Sequence, residues 1–170
     1  MKIETLDQSE ELRCHLNAFA ASPRGFVLLS GRPGTGKSYA ALAAYNAFAP
    51  YRLPAYDYDI ARFITQAELN ILWHKHNTEH GTSYLLDALT KTKLLILDDL
   101  GTRTPSVAFM DFLYVVADNR YSRRETRGTI ITTNLNSKDM RDMFGDAFVS
   151  RVASGKCFRL EGKDRRFNEF

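Results

Sequence analysis

A glycine-rich segment of eight residues in the first quarter of the chain has the residue types needed to bind phosphate. It matches the pattern GxxxxGK[ST] at every fixed position, and it lies between a short apolar run and an alanine-rich run typical of a helix. Glycines let the backbone curl so that successive amides point inward, and the first turn of the following helix adds partial positive charge. The residues predicted to form this phosphate-binding loop (P-loop, Walker A) are Gly31, Arg32, Pro33, Gly34, Thr35, Gly36, Lys37 and Ser38, with Tyr39 next to them.

The two residues that end the pattern have the chemistry to bind a nucleoside triphosphate together with a metal ion. Lys37 can reach the β- and γ-phosphates, and the Ser38 hydroxyl can ligate magnesium. The competing interpretation is a chance glycine-rich turn, and a match at every fixed position in the right local context argues against it. We therefore predict that the chain binds ATP and Mg²⁺ at this loop.

Two carboxylates and an amide follow later apolar runs. Asp98 and Asp99 come directly after the run at 94–97, and Asn134 closes the run at 129–133. We predict that Asp98 holds the magnesium ion, that Asp99 orients and polarises the attacking water, and that Asn134 bridges this water and the γ-phosphate. The alternatives are solvated acids at a strand end and an asparagine that serves a turn or a helix cap.

Strands and helices alternate along the chain, and the strands are continuously apolar. The predicted strands lie at 26–30, 60–65, 94–97, 129–133 and 157–160. The predicted helices lie at 7–21, 37–48, 66–76, 84–92, 106–120, 137–144 and 148–153. Such a pattern indicates an α/β fold with a parallel sheet covered on both faces. Ligands bind these sheets beyond the carboxyl ends of the strands, which is where the P-loop, Asp98 and Asn134 fall.

The composition is that of an ordinary globular domain. Of the 170 residues, 44% are hydrophobic and 25% are charged, and no apolar run is long enough to cross a bilayer. The formal net charge of +3 permits nucleic-acid binding without requiring it. Cys14 and Cys157 lie far apart in the sequence, and we expect a single-domain, reduced, cytoplasmic protein.

Four segments resemble, in this order, the DnaC/IstB-like AAA+ ATPases: GRPGTGKS, LLILDDLG, IITTN and FVSRVASG. These ATPases are bacterial and phage helicase loaders and the ATPases that assist insertion-sequence transposases. The resemblance runs over residues 25–166 and implies a three-layer P-loop (ASCE) core whose parallel five-stranded sheet has the order 5-1-4-3-2. It also implies that residues 1–170 form one AAA+ core, with a leading helix at 1–24 and without the N-terminal partner-binding domain and the full lid.

The resemblance implies further roles for single residues. Asn134 falls on the sensor 1 position, and Arg166 falls on the sensor 2 position. Arg151 falls on the arginine finger, which completes the nucleotide site of a neighbouring subunit, and a salt bridge on a helix surface is the alternative for this residue. Asp99 stands where many AAA+ proteins have glutamate. Because its side chain is one methylene shorter, we expect slow hydrolysis of ATP to ADP and phosphate.

A basic cluster lies near the end of a predicted helix and consists of Arg120, Arg123, Arg124 and Arg127. A groove that follows the phosphates of single-stranded DNA needs such cations, so we predict DNA contact here. Two alternatives stay open for this cluster. The cations could complement the helix dipole, or Arg120 and Arg124 could lie at a subunit interface.

Together these features predict a helicase loader of DNA replication that assembles with ATP into a ring or helical oligomer on single-stranded DNA. Its protein partner would be a replicative helicase, and no membrane is involved. The alternative within the family is a transposition ATPase that delivers a transposase. Further alternatives are a P-loop kinase for a small molecule and a nucleotide-gated module that scarcely hydrolyses ATP.

Overall fold

The computed structural model describes residues 2–48, 60–79, 83–162 and 164. Its strands are β1 (Gly25–Gly31), β2 (Ala61–Thr65), β3 (Leu94–Leu100), β4 (Gly128–Thr133) and β5 (Lys156–Leu160). Its helices are α1 (Glu10–Ala21), α2 (Lys37–Phe48), α3 (Gln66–Glu79), α4 (Ser83–Lys91), α5 (Val107–Ser122) and α6 (Ser137–Val152). A short 3₁₀ turn at Ile3–Thr5 precedes α1. None of the helices in these described ranges is long and apolar enough to cross a membrane.

The five strands lie parallel in one sheet, in the order β2-β3-β4-β1-β5. This is the predicted order 5-1-4-3-2 read from the opposite edge, so the predicted fold class is confirmed. Thr133 at the end of β4 lies beside Ser30 of β1 and Leu100 of β3. The carboxyl ends of the three central strands therefore meet at one edge of the sheet, which brings the P-loop close to Asp98 and Asn134.

Each strand fills two apolar layers, because successive side chains point to opposite faces of the sheet. In β3, Leu95 and Leu97 pack toward helices α3 to α6, whereas Leu94 and Ile96 pack toward α1 and α2. All four side chains are buried, and each burial stabilises the sheet by roughly 1.5–3 kcal/mol relative to exposure. Burial on both faces is the reason that the strands are continuously apolar in sequence.

Several boundaries differ by one to three residues from those predicted, and α1 begins at Glu10 instead of 7. Strand β3 continues to Leu100 instead of ending at 97, because the chain passes a register shift against β4 and then pairs again. Helix α3 runs to Glu79 instead of ending at 76. The predicted helices at 137–144 and 148–153 form one element, α6, which is broken at Gly145 (φ 79°, ψ 156°). The predicted interruption is therefore present as a kink at a single glycine.

Candidate nucleotide-binding site

The P-loop connects the end of β1 to the first turn of α2. Gly34 and Gly36 adopt φ values of 76° and 90°, in the left-handed region that glycine enters without strain. These two residues let the chain turn sharply into α2, while Arg32 and Pro33 lie exposed on the loop. The glycine pattern thus corresponds to a tight loop closed by a helix N-terminus, which is a favourable place for an anion.

The ammonium group of Lys37 lies inside the loop. Its Nζ donates hydrogen bonds to the backbone carbonyls of Gly31 at 2.9 Å and Arg32 at 2.8 Å, and the residue is only 4% exposed. Burying a cation among neutral carbonyls costs free energy, and an anionic oxygen is a stronger partner for it. The loop therefore holds a positive charge where a phosphate oxygen can bind.

The segment before α1 braces the loop. Gln8 Nε2 donates to the Thr35 carbonyl at 2.9 Å, and the Thr35 hydroxyl donates to the Arg32 carbonyl at 2.9 Å. Arg13 of α1 donates from Nη1 to the carbonyls of Leu6 at 3.0 Å and Gln8 at 2.6 Å. Sequence reasoning missed this bracing, because Gln8 and Thr35 are 27 positions apart and no local pattern connects them.

A cavity of about 470 Å³ opens beside the P-loop, within the size range of small-molecule sites. The residues that line it are Thr5, Asp7, Gly34, Gly36, Lys37, Ser38, Tyr39, Asp99 and Asn134. The structure thus brings Lys37 and Ser38 together with Asp99 and Asn134, which lie at the carboxyl ends of β3 and β4. Thr5 and Asp7 were not predicted, since they belong to the segment before α1.

Asp98 lies at the same strand end, where it is 5% exposed. Its Oδ1 accepts a hydrogen bond of 2.6 Å from the Thr132 hydroxyl, and that hydroxyl accepts one of 2.9 Å from the Asp99 amide. The second oxygen of Asp98 receives no hydrogen bond from any residue that the structure describes. Thr132 therefore fixes the positions of both aspartates. In the sequence, this role is indicated only by a threonine near the end of an apolar strand, two positions before Asn134.

The backbone at Asp99 is unusual. Its φ of 54° is left-handed, a conformation that costs a non-glycine residue roughly 1–2 kcal/mol. Gln66 supports the turn that follows, because its Oε1 accepts from the Gly101 amide at 2.6 Å and its Nε2 donates to the Arg103 carbonyl at 2.8 Å. This support keeps Asp99 in the wall of the cavity, and Gln66 is a second residue that sequence reasoning missed.

Asn134 lies exposed at the end of β4 and lines the cavity. A different residue, Asn136, caps the N-terminus of α6. Its Oδ1 accepts hydrogen bonds of 2.9 Å from the amides of Lys138 and Asp139. The alternative interpretation of Asn134 as a helix cap therefore does not hold. Its side chain lies where it could contact a bound nucleotide.

Arg151 lies on α6 and does not line the cavity. Its Nε donates to Asp118 Oδ1 of α5 at 2.6 Å, its Nη1 donates to the Ala147 carbonyl at 2.8 Å, and its guanidinium lies 4.8 Å from the centre of the Tyr114 ring. The hydrogen bond to Asp118 raises the pKa of Arg151 above its ordinary value. The salt bridge named as the alternative is present, and a role toward a neighbouring subunit stays a prediction. Arg166 lies outside the described residues.

Arg120 is buried, with 1% of its surface exposed. It donates to the Thr129 hydroxyl at 2.6 Å and to the carbonyls of Leu89 at 2.7 Å, Thr92 at 3.0 Å and Gly128 at 2.5 Å. Burial lowers its pKa to about 9. The prediction that Arg120 contacts DNA is wrong, as is its placement at a subunit interface. Its guanidinium instead joins α5 to β4 and to the connection between α4 and β3.

The remaining three arginines lie at the opposite end of the sheet from the cavity. Gly25, the first residue of β1, donates its amide to the carbonyls of Arg124 at 2.7 Å and Arg127 at 3.0 Å. Arg123 is exposed, Arg124 stacks on Tyr121 at 4.4 Å, and Arg127 donates to a backbone carbonyl of α4. Burial, together with the charge of Arg123, lowers the pKa of Arg127. DNA contact by these three residues stays a prediction.

Comparison with known sequences gives a consistent group of relatives. A family model described as IstB-like ATP binding protein matches residues 12–153. The replicative helicase loader DnaC of Escherichia coli (strain K12) is 27% identical over 145 residues, which cover 84% of this chain and 56% of that protein. A putative ATP-binding protein of insertion sequence IS232 from Bacillus thuringiensis subsp. berliner is 30% identical over 120 residues, covering 71% and 44%. The chain spans about half the length of these curated relatives.

Solved structures of replication proteins share the fold. A crystal structure of the DnaC helicase loader has a TM-score of 0.76 at 20% identity and is matched over 94% of this chain and 96% of that chain. The replication initiator DnaA bound to AMPPCP and single-stranded DNA has a TM-score of 0.79 at 17% identity, over 95% of this chain and 50% of that chain. The fold is that of the AAA+ P-loop core.

Proposed function

The chain belongs to the family of IstB-like ATP-binding proteins, and we propose that it binds ATP in the cavity beside the P-loop and hydrolyses it with magnesium. One observation carries this proposal. Lys37 and Ser38 share the cavity with Asp99 and Asn134, which lie at the carboxyl ends of two other strands. A cation, a hydroxyl, a carboxylate and an amide at one place are the groups that phosphoryl transfer to water requires.

Oxygen donors suited to magnesium are available at this site. The Ser38 hydroxyl lines the cavity, and Thr132 occupies only one carboxylate oxygen of the buried Asp98. Magnesium prefers hard oxygen ligands, and in nucleotide sites one or two come from the protein. We assign Ser38 and Asp98 as the residues that would hold the ion. Bound there, magnesium would neutralise charge on the β- and γ-phosphates.

The protein's own groups take the remaining roles. Lys37 would exchange its backbone carbonyl partners for phosphate oxygens. Asp99 would accept a proton from water while the water oxygen attacks the γ-phosphorus and ADP leaves, and Asn134 would orient that water. We expect Asp99→Asn to abolish phosphate release and Asp99→Glu to raise it, because the longer side chain reaches the water better. Loss of activity in Asp99→Glu would contradict the view of Asp99 as a short, weak base.

We further propose that the protein acts in the cytoplasm as a loader in DNA replication, with a replicative helicase as its partner. The similarity to DnaC of Escherichia coli, named a replicative helicase loader, supports this role. Nucleotide would assemble copies on single-stranded DNA, with Arg151 completing a neighbour's site, Arg166 acting as sensor 2, and Arg123, Arg124 and Arg127 contacting phosphates. The similarity to the IS232 protein favours a second candidate, a transposition ATPase with a transposase as its partner.

Mass in solution tests the shared part of both candidates. Light scattering would follow wild type with and without a non-hydrolysable ATP analogue, magnesium and single-stranded DNA. We expect nucleotide to drive assembly, DNA to strengthen it, and Arg151→Ala to weaken it. Arg141→Ala is the matched control, because Arg141 lies on the same helix with a largely exposed side chain. A protein that stays monomeric under every condition would contradict nucleotide-driven assembly.

The fate of the γ-phosphoryl group distinguishes an ATPase from a small-molecule kinase. A kinase transfers the γ-phosphoryl group to an acceptor other than water, whereas Asp99 and Asn134 in the cavity wall suit the positioning of water. We expect phosphate release to equal ADP formation in the absence of any added acceptor. ADP formation that depends on a metabolite and yields a phosphorylated product would instead support the kinase.

A further inference from the structure

We propose that Asp118 and Tyr114 of α5 are positioning residues that hold the guanidinium of Arg151 in place for the nucleotide of a neighbouring copy of this chain. The proposal rests on the proposed function, in which Arg151 acts across a subunit interface. Neither Asp118 nor Tyr114 lines the nucleotide cavity of its own chain. Each would therefore act only through Arg151.

Two of the three guanidinium nitrogens of Arg151 are engaged within the chain. Nε donates to Asp118 Oδ1 at 2.6 Å, and Nη1 donates to the Ala147 carbonyl at 2.8 Å. Nη2, which carries two N–H donors, has no hydrogen-bond partner among the residues that the structure describes. The pair also reaches the surface, since the side chains of Arg151 and Asp118 are 26% and 44% exposed. A phosphate oxygen could therefore be bound through Nη2 without breaking either existing hydrogen bond.

The ring of Tyr114 adds a third restraint. It lies 4.8 Å from the guanidinium, a distance at which a cation is attracted to an aromatic face. An exposed arginine normally samples many rotamers, and ordering it on docking costs conformational entropy. Restraints from α5 and from the carbonyl of Ala147 impose that order before a neighbour arrives. A pre-ordered side chain loses less freedom when the interface forms.

The role of Asp118 is geometric and does not concern protonation. The hydrogen bond to Asp118 raises the pKa of Arg151, but a guanidinium is protonated at neutral pH without that help. The negative charge of Asp118 also partly offsets the attraction between Arg151 and a phosphate. A purely electrostatic effect would therefore increase activity when the carboxylate is removed, whereas positioning requires activity to fall.

Steady-state kinetics of the assembled protein tests this difference. We expect Asp118→Ala to lower kcat about tenfold, within the loss of up to about 100-fold that a misplacement of about 1 Å can cause. KM for ATP should change little, because the nucleotide site of the same chain is intact. Asp118→Asn keeps an oxygen acceptor for Nε and should restore most of kcat. Asp111→Ala is the matched control, since Asp111 is an exposed acid on the same helix.

Two further measurements ask whether Asp118 acts through Arg151. Asp118→Ala added to Arg151→Ala should cause no further loss, because the group that it positions is already gone. In mixtures, Lys37→Ala subunits should restore activity to Arg151→Ala subunits, because they supply the missing arginine to a neighbour. Lys37→Ala subunits that also carry Asp118→Ala should restore less. If Asp118→Ala does not fold, Tyr114→Leu compared with Tyr114→Phe makes the same test.

Wild-type or increased kcat in folded Asp118→Ala would overturn the positioning role. Additive losses in the double variant would overturn it as well, because they would mean that Asp118 acts independently of Arg151. A different result is expected if the proposed function itself is wrong. Arg151→Ala would then have wild-type activity, and mixing the variant subunits would have no effect on activity. That result would remove the positioning role together with the function on which it rests.

Discussion

Replacing Arg120 with methionine is expected to destabilise the fold without changing a DNA-binding surface. The guanidinium is 1% exposed and donates to four acceptors from three parts of the chain. Methionine has a similar length and no hydrogen-bond donor, so it keeps much of the packing and removes all four hydrogen bonds. The variant therefore separates a structural role from the DNA contact that the sequence suggested.

The expected loss follows from two opposing effects. A buried acceptor left without its donor costs about 1–3 kcal/mol, so four such acceptors cost about 8 kcal/mol in the middle of that range. Burial and the charge of Arg127 lower the pKa of Arg120 to about 9, so the charged form carries a penalty of roughly 5 kcal/mol at about 1.4 kcal/mol per pKa unit. Methionine escapes this penalty. We expect a net loss of about 3 kcal/mol in the free energy of unfolding, at the upper end of the usual range for single substitutions.

Urea denaturation followed by tryptophan fluorescence measures this loss, because the single tryptophan, Trp73, is buried in the core. Arg123→Met is the matched control, an exposed arginine of the same cluster for which we expect a change within about 0.5 kcal/mol. A loss below about 1 kcal/mol for Arg120→Met, with an unchanged slope, would refute the reasoning. Weaker DNA binding by a fully stable Arg120→Met protein would restore the original interpretation.

Three further predictions concern the site and its surroundings. Thr132→Val removes the donor to the buried Asp98 carboxylate and the acceptor of the half-buried Asp99 amide. We expect it to lower the free energy of unfolding by about 1–3 kcal/mol, and an unchanged denaturation midpoint would contradict this. Gly34→Ala strains a left-handed residue and places a β-carbon against the Asp164 carboxylate. We therefore expect about tenfold weaker binding in a titration with a fluorescent ATP analogue. Wild-type affinity would refute this prediction. Burial raises the pKa of the Cys157 thiol. In a variant with no other cysteine, the rate of alkylation of Cys157 should therefore increase at a higher pH than the rate of alkylation of glutathione. Coincident pH profiles of the two rates would contradict the raised pKa.

Local sequence was sufficient for the parts of the fold that depend on neighbouring residues. The glycines of the P-loop, the apolar runs and the polar residues near their ends are short-range patterns, and the structure places each run in a strand within a few residues of its predicted bounds. Asn134 lines the cavity for this reason, because it follows a strand whose direction is set by the parallel sheet. The order of the strands came from resemblance, since periodicity alone does not say which strands are neighbours.

Contacts between distant segments decided the remaining features. Arg120 and Arg123 are three positions apart, yet one is buried and the other exposed. Arg120 lies at helical spacing from the buried Val116 and Leu113, so it falls on the inner face of α5. Arg120 also finds carbonyl acceptors 28 and 31 positions away. The pairing of Arg151 with Asp118, 33 positions away, has the same origin.

The sequence by itself determined which positions carry charge and which have the backbone freedom of glycine, because these are properties of single residues and their immediate neighbours. Only the tertiary structure decided which charges are buried, paired or left facing outward. Burial of a guanidinium is favourable only when fixed oxygen acceptors replace the water that it loses. Those acceptors are backbone carbonyls and carboxylates brought from other elements, so the fate of each arginine depends on how the helices pack against the sheet.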